Sequence, residues 1–303
     1  MLMDTIIDFC DKSYSEKSRN GKKCDCNANC THPSYCSSGC ENCLEQIHFP
    51  NRYENGRIDY NCDNIINFYT CKYMYKYSSE IEYALQSVNN LNNYERFNII
   101  SIGCGSCPDL VAIENFCEKN QLSKEIYYLG IDMNEKWKPV HDKIKEYSTN
   151  KPLEVKYEYQ EVNNVFKAWI FQHYNILILQ YLISHFNNTG TVPTHQFFDS
   201  LIENVIKHMN QKSLIIINDV NSYNRGRDSL YLIFDKLNKS SIKYSIQERY
   251  FDYNIKSDAQ RIGSKYLNSE ILHYPKDINF MSKYNPWGNC SSFQLIIEIE
   301  GMK

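Results

Sequence analysis

Two glycines and one acid carry the most specific chemistry in this chain. In Asn98-Ile-Ile-Ser-Ile-Gly-Cys-Gly-Ser-Cys-Pro-Asp109, the apolar run Ile99, Ile100, Ile102 reads as a buried strand that breaks into a turn at Gly103-Cys104-Gly105. Leu110, Val111, Ile113 and Phe116 then recur at helical spacing. Glycines let the backbone turn tightly and let a ligand approach without Cβ interference. Strand, glycine turn and helix make a first crossover unit with a ligand crevice at the carboxyl end of the strand. A dinucleotide fingerprint needs a third glycine, but Ser106, Cys107, Pro108 and Asp109 follow Gly105. Pro108 suits the first helical turn, where no amide bond is lost. Asp109 is expected to place negative charge where a pyrophosphate would sit, disfavouring phosphate and welcoming an amino group or a sulfonium.

The next apolar run, Ile126-Tyr-Tyr-Leu-Gly-Ile-Asp132, ends in an acid and is followed by Met133, Asn134 and a helical stretch. A carboxylate at that tip can accept both hydroxyls of a ribose. Together the turn and Asp132 describe an adenosine ligand without phosphates; the plain alternative is a tight turn and a solvated strand end. On these residues the chain, from Asn98 onward, resembles the class I (Rossmann-like) S-adenosylmethionine-dependent methyltransferase superfamily.

The resemblance implies S-adenosyl-L-methionine held by Gly103, Cys104, Gly105, Asp109, Asp132, Met133 and Asn134. It also implies a polar residue near the adenine after strand three, where Gln160-Glu161-Val162-Asn163 stands, and contacts from Gln180 and Tyr181 after strand four. N-terminal helices often lid the crevice in that superfamily. Tyr69, Tyr73 and Tyr77 would then line the entrance, with Tyr73 touching the cofactor; a core stripe is the competing reading.

The thirteen cysteines are unevenly spread, and six fall in Cys24-x-Cys26-x3-Cys30-x5-Cys36-x3-Cys40-x2-Cys43, with His32 inside the run and His48 just beyond. Without a secretion signal such a cluster points to metal rather than disulfides. Thiolates and imidazole select zinc, one or two ions, with an iron–sulfur cluster or a disulfide-rich or unliganded tail as alternatives. The stretch 22–49 has almost no aliphatic residues, so a metal would supply its folding energy as a structural knuckle. Cys24, Cys26, Cys30, Cys36, Cys40, Cys43 and His48 are the candidate ligands; His48 is equally readable as an ordinary surface histidine.

At 303 residues the chain can bury a full core and an appendage. A net charge of −3 gives no global footprint for nucleic acid, and a DNA partner is not expected. No apolar run approaches membrane-spanning length, and Met1-Leu-Met-Asp-Thr-Ile-Ile-Asp8 has no signal-peptide pattern. A cytoplasmic, membrane-free protein is the expectation.

Three parts are expected: a Cys-rich knuckle over 1–60, a helical lid or linker over 61–97, and the cofactor-binding domain over 98–303. Met1 to Cys10 reads as a short helix and 11–23 as a loose polar stretch. Cys62, Ile66, Tyr69, Tyr73, Tyr77, Ile81, Leu85 and Val88 fall at helical spacing, with a break conceivable at Ser78-Ser79. Strands are expected at 126–132, 152–159, 174–182, 213–219, 242–247 and 293–299, and helices at 135–147, 194–209 and 229–237. The stretch 251–286 reads as an irregular, substrate-facing insertion. The alternation describes an α/β, doubly wound, seven-stranded, mostly parallel sheet; the resemblance makes its last strand antiparallel.

Methyl transfer is a direct displacement, so the protein supplies positioning and sometimes a base. Enzymes that methylate exocyclic amines carry an acid or Asn, then Pro-Pro-aromatic, after strand four; this chain has Gln180-Tyr-Leu-Ile-Ser-His185. His185 is a candidate general base, or a satisfied surface histidine. Asp219 and Asn221, after strand five, are candidate acceptor contacts, and Arg225 and Arg227 candidate anion holders; a polar capping loop is the alternative. The acceptor stays open between a macromolecule (RNA or protein) and a small molecule. A catalytically silent, zinc-containing interaction protein of the same fold is the remaining reading.

Overall fold

The computed structural model describes residues 1–19, 39–53, 59–168, 171–190, 193–221, 227–251 and 263–302. The cysteines Cys24, Cys26, Cys30 and Cys36, with Arg225, lie outside them.

Helices α1 (Leu2–Arg19), α2 (Gly39–His48) and α3 (Asp63–Gln86) precede the first strand. Then follow β1 (Arg96–Ile102), α4 (Pro108–Lys119), β2 (Glu125–Ile131), α5 (Lys138–Ser148), β3 (Leu153–Glu158) and α6 (Val162–Ala168). The second half comprises β4 (Ile176–Gln180), α7 (Ile183–Thr189), α8 (Thr194–Asn204), β5 (Ser213–Val220), α9 (Arg227–Lys239) and β6 (Ile242–Tyr250). It closes with β7 (Ser264–Lys265), α10 (Ile278–Tyr284) and β8 (Ser292–Met302).

The sheet order is β3-β2-β1-β4-β5-β8-β6-β7. β1 pairs parallel with both β2 and β4, while β8 runs antiparallel between β5 and β6. The chain therefore winds outward from β1 in one direction and restarts from β4 in the other. Between those two strands lies the switch point, where open sheets bind ligands at their carboxyl ends. The expected seven strands become eight because the two-residue β7 adds an edge to β6. The antiparallel last strand is found as the resemblance implied.

Side chains alternate between two cores. Ile99, Ile176, Ile178, Leu214 and Ile216 face one layer with α1, α3 and α4. Ile100, Ile102, Leu177, Leu179, Ile215 and Ile217 face the other, with α8 and α9. Burial on both faces is why these strands read as unbroken apolar runs. At roughly 25 cal/mol per Å2 of apolar surface removed from water, the two cores supply the dominant stabilising term.

Several boundaries differ from expectation. α1 continues to Arg19, well into the stretch expected to be loose, because Leu2, Met3, Ile6, Ile7 and Cys10 seat it in the first core. α3 is unbroken: the Ser78 and Ser79 hydroxyls donate to the carbonyls of Met74 and Tyr75 at 2.8 and 2.7 Å, within the helix. α6 and α7 were not expected at all. The stretch expected to be irregular holds α10 and a small cluster in which Tyr266 stacks on Phe251 at 4.4 Å. Among the described residues, no helix is long and apolar enough to cross a membrane.

Candidate functional site

β1 delivers its chain to the switch point at Gly103. The Gly103 and Cys104 amides both donate to the Ile131 carbonyl, at 2.8 and 3.2 Å, tying the turn to the end of β2. Gly103 has φ 69° and Gly105 φ 49°, the left-handed region that favours glycine. A Cβ on Gly103 would come within 2.9 Å of Leu182 Cδ1, so a side chain there would force Leu182 to shift. Cys107 also adopts a left-handed φ, 59°, and is the N-cap of α4, with Pro108 in the first turn as expected.

Asp132 stands at the tip of β2. Its Oδ2 accepts from the Gly105 amide at 3.0 Å and its Oδ1 from the Asn134 amide at 2.9 Å. Burial pushes its carboxyl above the usual range, and these two amides work against that rise. Each oxygen keeps a further lone pair for a ligand. The Asn134 side chain caps the turn Glu135–Trp137 and donates to the Tyr60 carbonyl at 3.3 Å, while Met133 is 74% exposed. Trp137 lies under the glycine turn, 3.5 Å from where a Gly105 Cβ would stand.

Asp109 is not where the sequence placed its charge. It is buried and accepts the Tyr128 hydroxyl at 3.0 Å. Burial and the neighbouring Cys107 push its pKa up to about 7, so it presents little charge to the crevice. The reason is geometric: one residue into α4, its side chain points back onto β2.

At the tip of β4, Tyr181 has φ 54° and stacks on Tyr77 of α3 at 4.2 Å between ring centroids. Gln180 donates through Nε2 to the Tyr77 carbonyl at 2.8 Å, whereas its Oε1 is buried with no partner. Around the turn, α3 and the segment before it supply aromatic rings: Tyr69 meets Trp137 at 5.8 Å and Tyr60 at 5.2 Å, and Tyr73 stacks on Tyr77 at 5.2 Å. Tyr73 and Tyr77 are both buried in the first core, as the core-stripe reading has it, and Tyr77 packs against the β4 tip. Glu161 is exposed beyond β3 and Val162 half-buried at the start of α6.

His185 on α7 is half-buried, 6.0 Å from the Tyr60 ring, and burial holds its pKa below the ordinary value. Asp219, expected among acceptor contacts, is fully buried. Its Oδ2 accepts from the Ile183 and Ser184 amides at 2.9 and 3.0 Å, and its Oδ1 from the Val220 amide. It caps the start of α7 instead of facing the crevice, and burial raises its pKa.

The metal knuckle is mostly outside the described residues. Of its expected ligands, Cys40, Cys43 and His48 sit on α2, and they do not converge on one point. The His48 ring is instead shared between the hydroxyls of Tyr60, 3.2 Å from Nε2, and Tyr73, 3.4 Å from Nδ1. Burial lowers its pKa to about 4.

Two groupings were not anticipated. Glu80, buried on α3, gathers Tyr181, Asn218 and the Ser291 and Ser292 amides. Cys104, Cys107 and His141 converge beneath the glycine turn, all buried. For Cys107, burial raises the thiol, but hydrogen bonding from Cys104 and the charge of His141 outweigh it and hold it below the ordinary value. The Cys-x-x-Cys spacing is visible in the sequence; the approach of His141 depends on how α5 packs.

No family model matches the chain, and no curated protein matches it in sequence. Solved structures similar to it include a methyltransferase from Pyrococcus furiosus, 10% identical with TM-score 0.39 over 72% of this chain and 83% of that one. The plantazolicin methyltransferase BpumL in complex with SAH is 12% identical, TM-score 0.38, over 96% and 99%. Phosphoethanolamine N-methyltransferase 1 of Haemonchus contortus is 10% identical, TM-score 0.42, over 74% and 43%.

Proposed function

We propose that the chain is an S-adenosyl-L-methionine-dependent methyltransferase. The observation that carries this reading is the Asp132 carboxylate at the β2 tip, held by the Gly105 amide at 3.0 Å beside two left-handed glycines at the switch point. That geometry suits a nucleoside whose ribose hydroxyls meet an acceptor and whose tail crosses bare backbone. The fit extends to Gln180, whose buried Oε1 has no partner and suits an amino-group donor. A pyrophosphate is disfavoured, because the α4 N-terminus lacks the third glycine and its first turn is sealed by Cys107 and Pro108.

When bound, the cofactor supplies an electrophilic methyl group on a sulfonium. The chain's part is to orient it and exclude water. Asp132 fixes the ribose, the glycine turn sets the tail, and the rings of Tyr60, Tyr69 and Tyr77 cover the crevice. Electron-rich ring faces favour a cation nearby. His185, kept neutral at ordinary pH by burial, accepts the proton that an acceptor hydroxyl, thiol or protonated amine must lose. The β4 tip offers Gln180-Tyr181 instead of an acid or Asn with Pro-Pro-aromatic, so exocyclic base amines are not the expected acceptors. RNA, protein and small molecules remain acceptor classes, and radiolabelled methyl transfer into fractionated lysate sorts them.

Isothermal titration with S-adenosylmethionine and its demethylated product tests the cofactor. Saturable binding that weakens at least about tenfold in Asp132→Ala is expected, the loss of a charge-assisted hydrogen bond. Absence of binding to either compound, or equal affinity in the variant, would overturn the assignment.

A further inference from the structure

Beneath the glycine turn, the Cys104 and Cys107 sulfurs and a ring nitrogen of His141 all lie within 4.8 Å of one another, with Cys104 Sγ 3.9 Å from Nε2. We propose that these three side chains form a zinc site that fastens the cofactor turn to α5. The site stands apart from the Cys-rich segment and does not depend on the methyl-transfer reading.

The distances decide between a chance grouping and a ligand set. Tetrahedral zinc with sulfur at roughly 2.3 Å and nitrogen at roughly 2.0 Å requires sulfur–nitrogen edges of roughly 3.6 Å and a sulfur–sulfur edge of roughly 3.8 Å. The observed separations need closures of no more than about an ångström, within reach of small χ1 rotations. Two thiols and an imidazole are the donor set that zinc selects over magnesium or calcium. All three residues are buried, so no side chain has to be drawn in from solvent.

The surroundings are those of a supported ligand set. His141 Nδ1 is 2.8 Å from the Tyr159 hydroxyl, and its ring stacks on Tyr157 at 3.9 Å with planes 3° apart, which fixes its orientation. Such outer partners orient metal-binding imidazoles. The left-handed φ of Cys107, unusual for a residue with a Cβ, sets its sulfur beside the other two donors. The Gly105 carbonyl lies 2.7 Å from Nε2 and 3.9 Å from Cys107 Sγ, and to serve as a fourth ligand it would have to open from Nε2 to a tetrahedral edge of roughly 3.3 Å.

The protons balance. Zinc displaces two protons to solvent, whether the cluster starts as two thiols and a neutral imidazole or with the Cys107 proton on His141. The imidazole proton now donated from Nε2 to the Gly105 carbonyl moves to Nδ1, where Tyr159 accepts it, so the ring stays neutral and Nε2 is free to bind the ion. A turn held this way moves as one body with α5.

The test uses the full chain with Cys24, Cys26, Cys30 and Cys36 changed to Ser, titrated under reducing conditions with zinc and with cobalt(II). One equivalent should bind, and cobalt should show the intense visible bands of a tetrahedral ion with sulfur-to-metal charge transfer. Cys107→Ser and His141→Gln should each weaken zinc by more than the roughly 10–100-fold that loss of a supporting residue costs. Tyr159→Phe, which keeps every ligand, should fall within that smaller range. Circular dichroism checks the fold; if a ligand variant unfolds, the parent chain's cobalt bands still decide. Octahedral cobalt, bands unchanged in both ligand variants, or a Cys104–Cys107 disulfide that persists under reducing conditions with no metal bound would each overturn the site.

Discussion

The Glu80 carboxylate, in the last third of α3, accepts the Tyr181 hydroxyl at the tip of β4 across 2.8 Å. Glu80 is fully buried and uses both oxygens: Oε2 also accepts from Asn218, and Oε1 from the Ser291 and Ser292 amides. Lys76 donates to the same tyrosine oxygen at 2.7 Å and lies 3.5 Å from Glu80. One side chain thus joins the covering helix to β4, β5 and the entry to β8. Glu80→Ala should destabilise the fold by about 3–5 kcal/mol, because it leaves the buried Lys76 without its counter-charge. Urea unfolding measures this, and a loss below about 1 kcal/mol would show the network to be dispensable.

The two glycines should respond differently to alanine. At Gly103 the added Cβ meets Leu182 at 2.9 Å as well as a left-handed φ; at Gly105 the nearest atom is 3.5 Å away and only the φ is unfavourable. Gly105→Ala should cost about 1 kcal/mol, and Gly103→Ala roughly 1–3 kcal/mol beyond that from overpacking. Thermal melts of the pair check the order. Equal shifts would mean that Leu182 yields freely.

His48 makes stability depend on pH. Its folded pKa, about 4, lies below the usual 6.5, so the unfolded chain binds more protons between those values. The stabilisation is whole above pH 6.5 and is lost as pH falls toward 4. At about 1.4 kcal/mol per unit, discounted for a partly exposed ring, it amounts to on the order of 2 kcal/mol. Denaturation midpoints of wild type and His48→Gln, compared at pH 7 and pH 4.5, should differ in slope with the wild type steeper. Parallel profiles would remove His48 as the source.

Substitution should separate His185, the candidate base, from Asp219, the candidate acceptor contact. Asp219→Ala strips three amides of their acceptor and should cost about 2–4 kcal/mol of stability, most of it recovered by Asn. His185→Gln should leave the melt and cofactor affinity unchanged while lowering kcat about 10^2–10^4-fold. A stable Asp219→Ala with lost turnover would reverse these assignments.

What the sequence disclosed follows from where its signals are local. β1, β4 and β5 are buried on both faces, so their apolar runs announce themselves; the glycine turn follows β1 and Asp132 follows β2. α6 and α7 span only seven residues each, too short to show a period. The polar half of α1 reads as loop because its helicity is imposed by the apolar half docked on α3. Asp109 looked exposed because nothing in its neighbourhood along the chain reveals that Tyr128 covers it. His141 joins the two cysteines only through the packing of α5, a contact 34 residues beyond Cys107 that no spacing rule signals.

The placement of β8 has a kinetic corollary. The last strand in order of synthesis is wedged between two earlier ones, so β5 and β6 show raw edges until Ser292 to Met302 arrives. A nascent chain must keep those edges apart while it waits, and any message cut short before that point yields a product primed to stick to its neighbours.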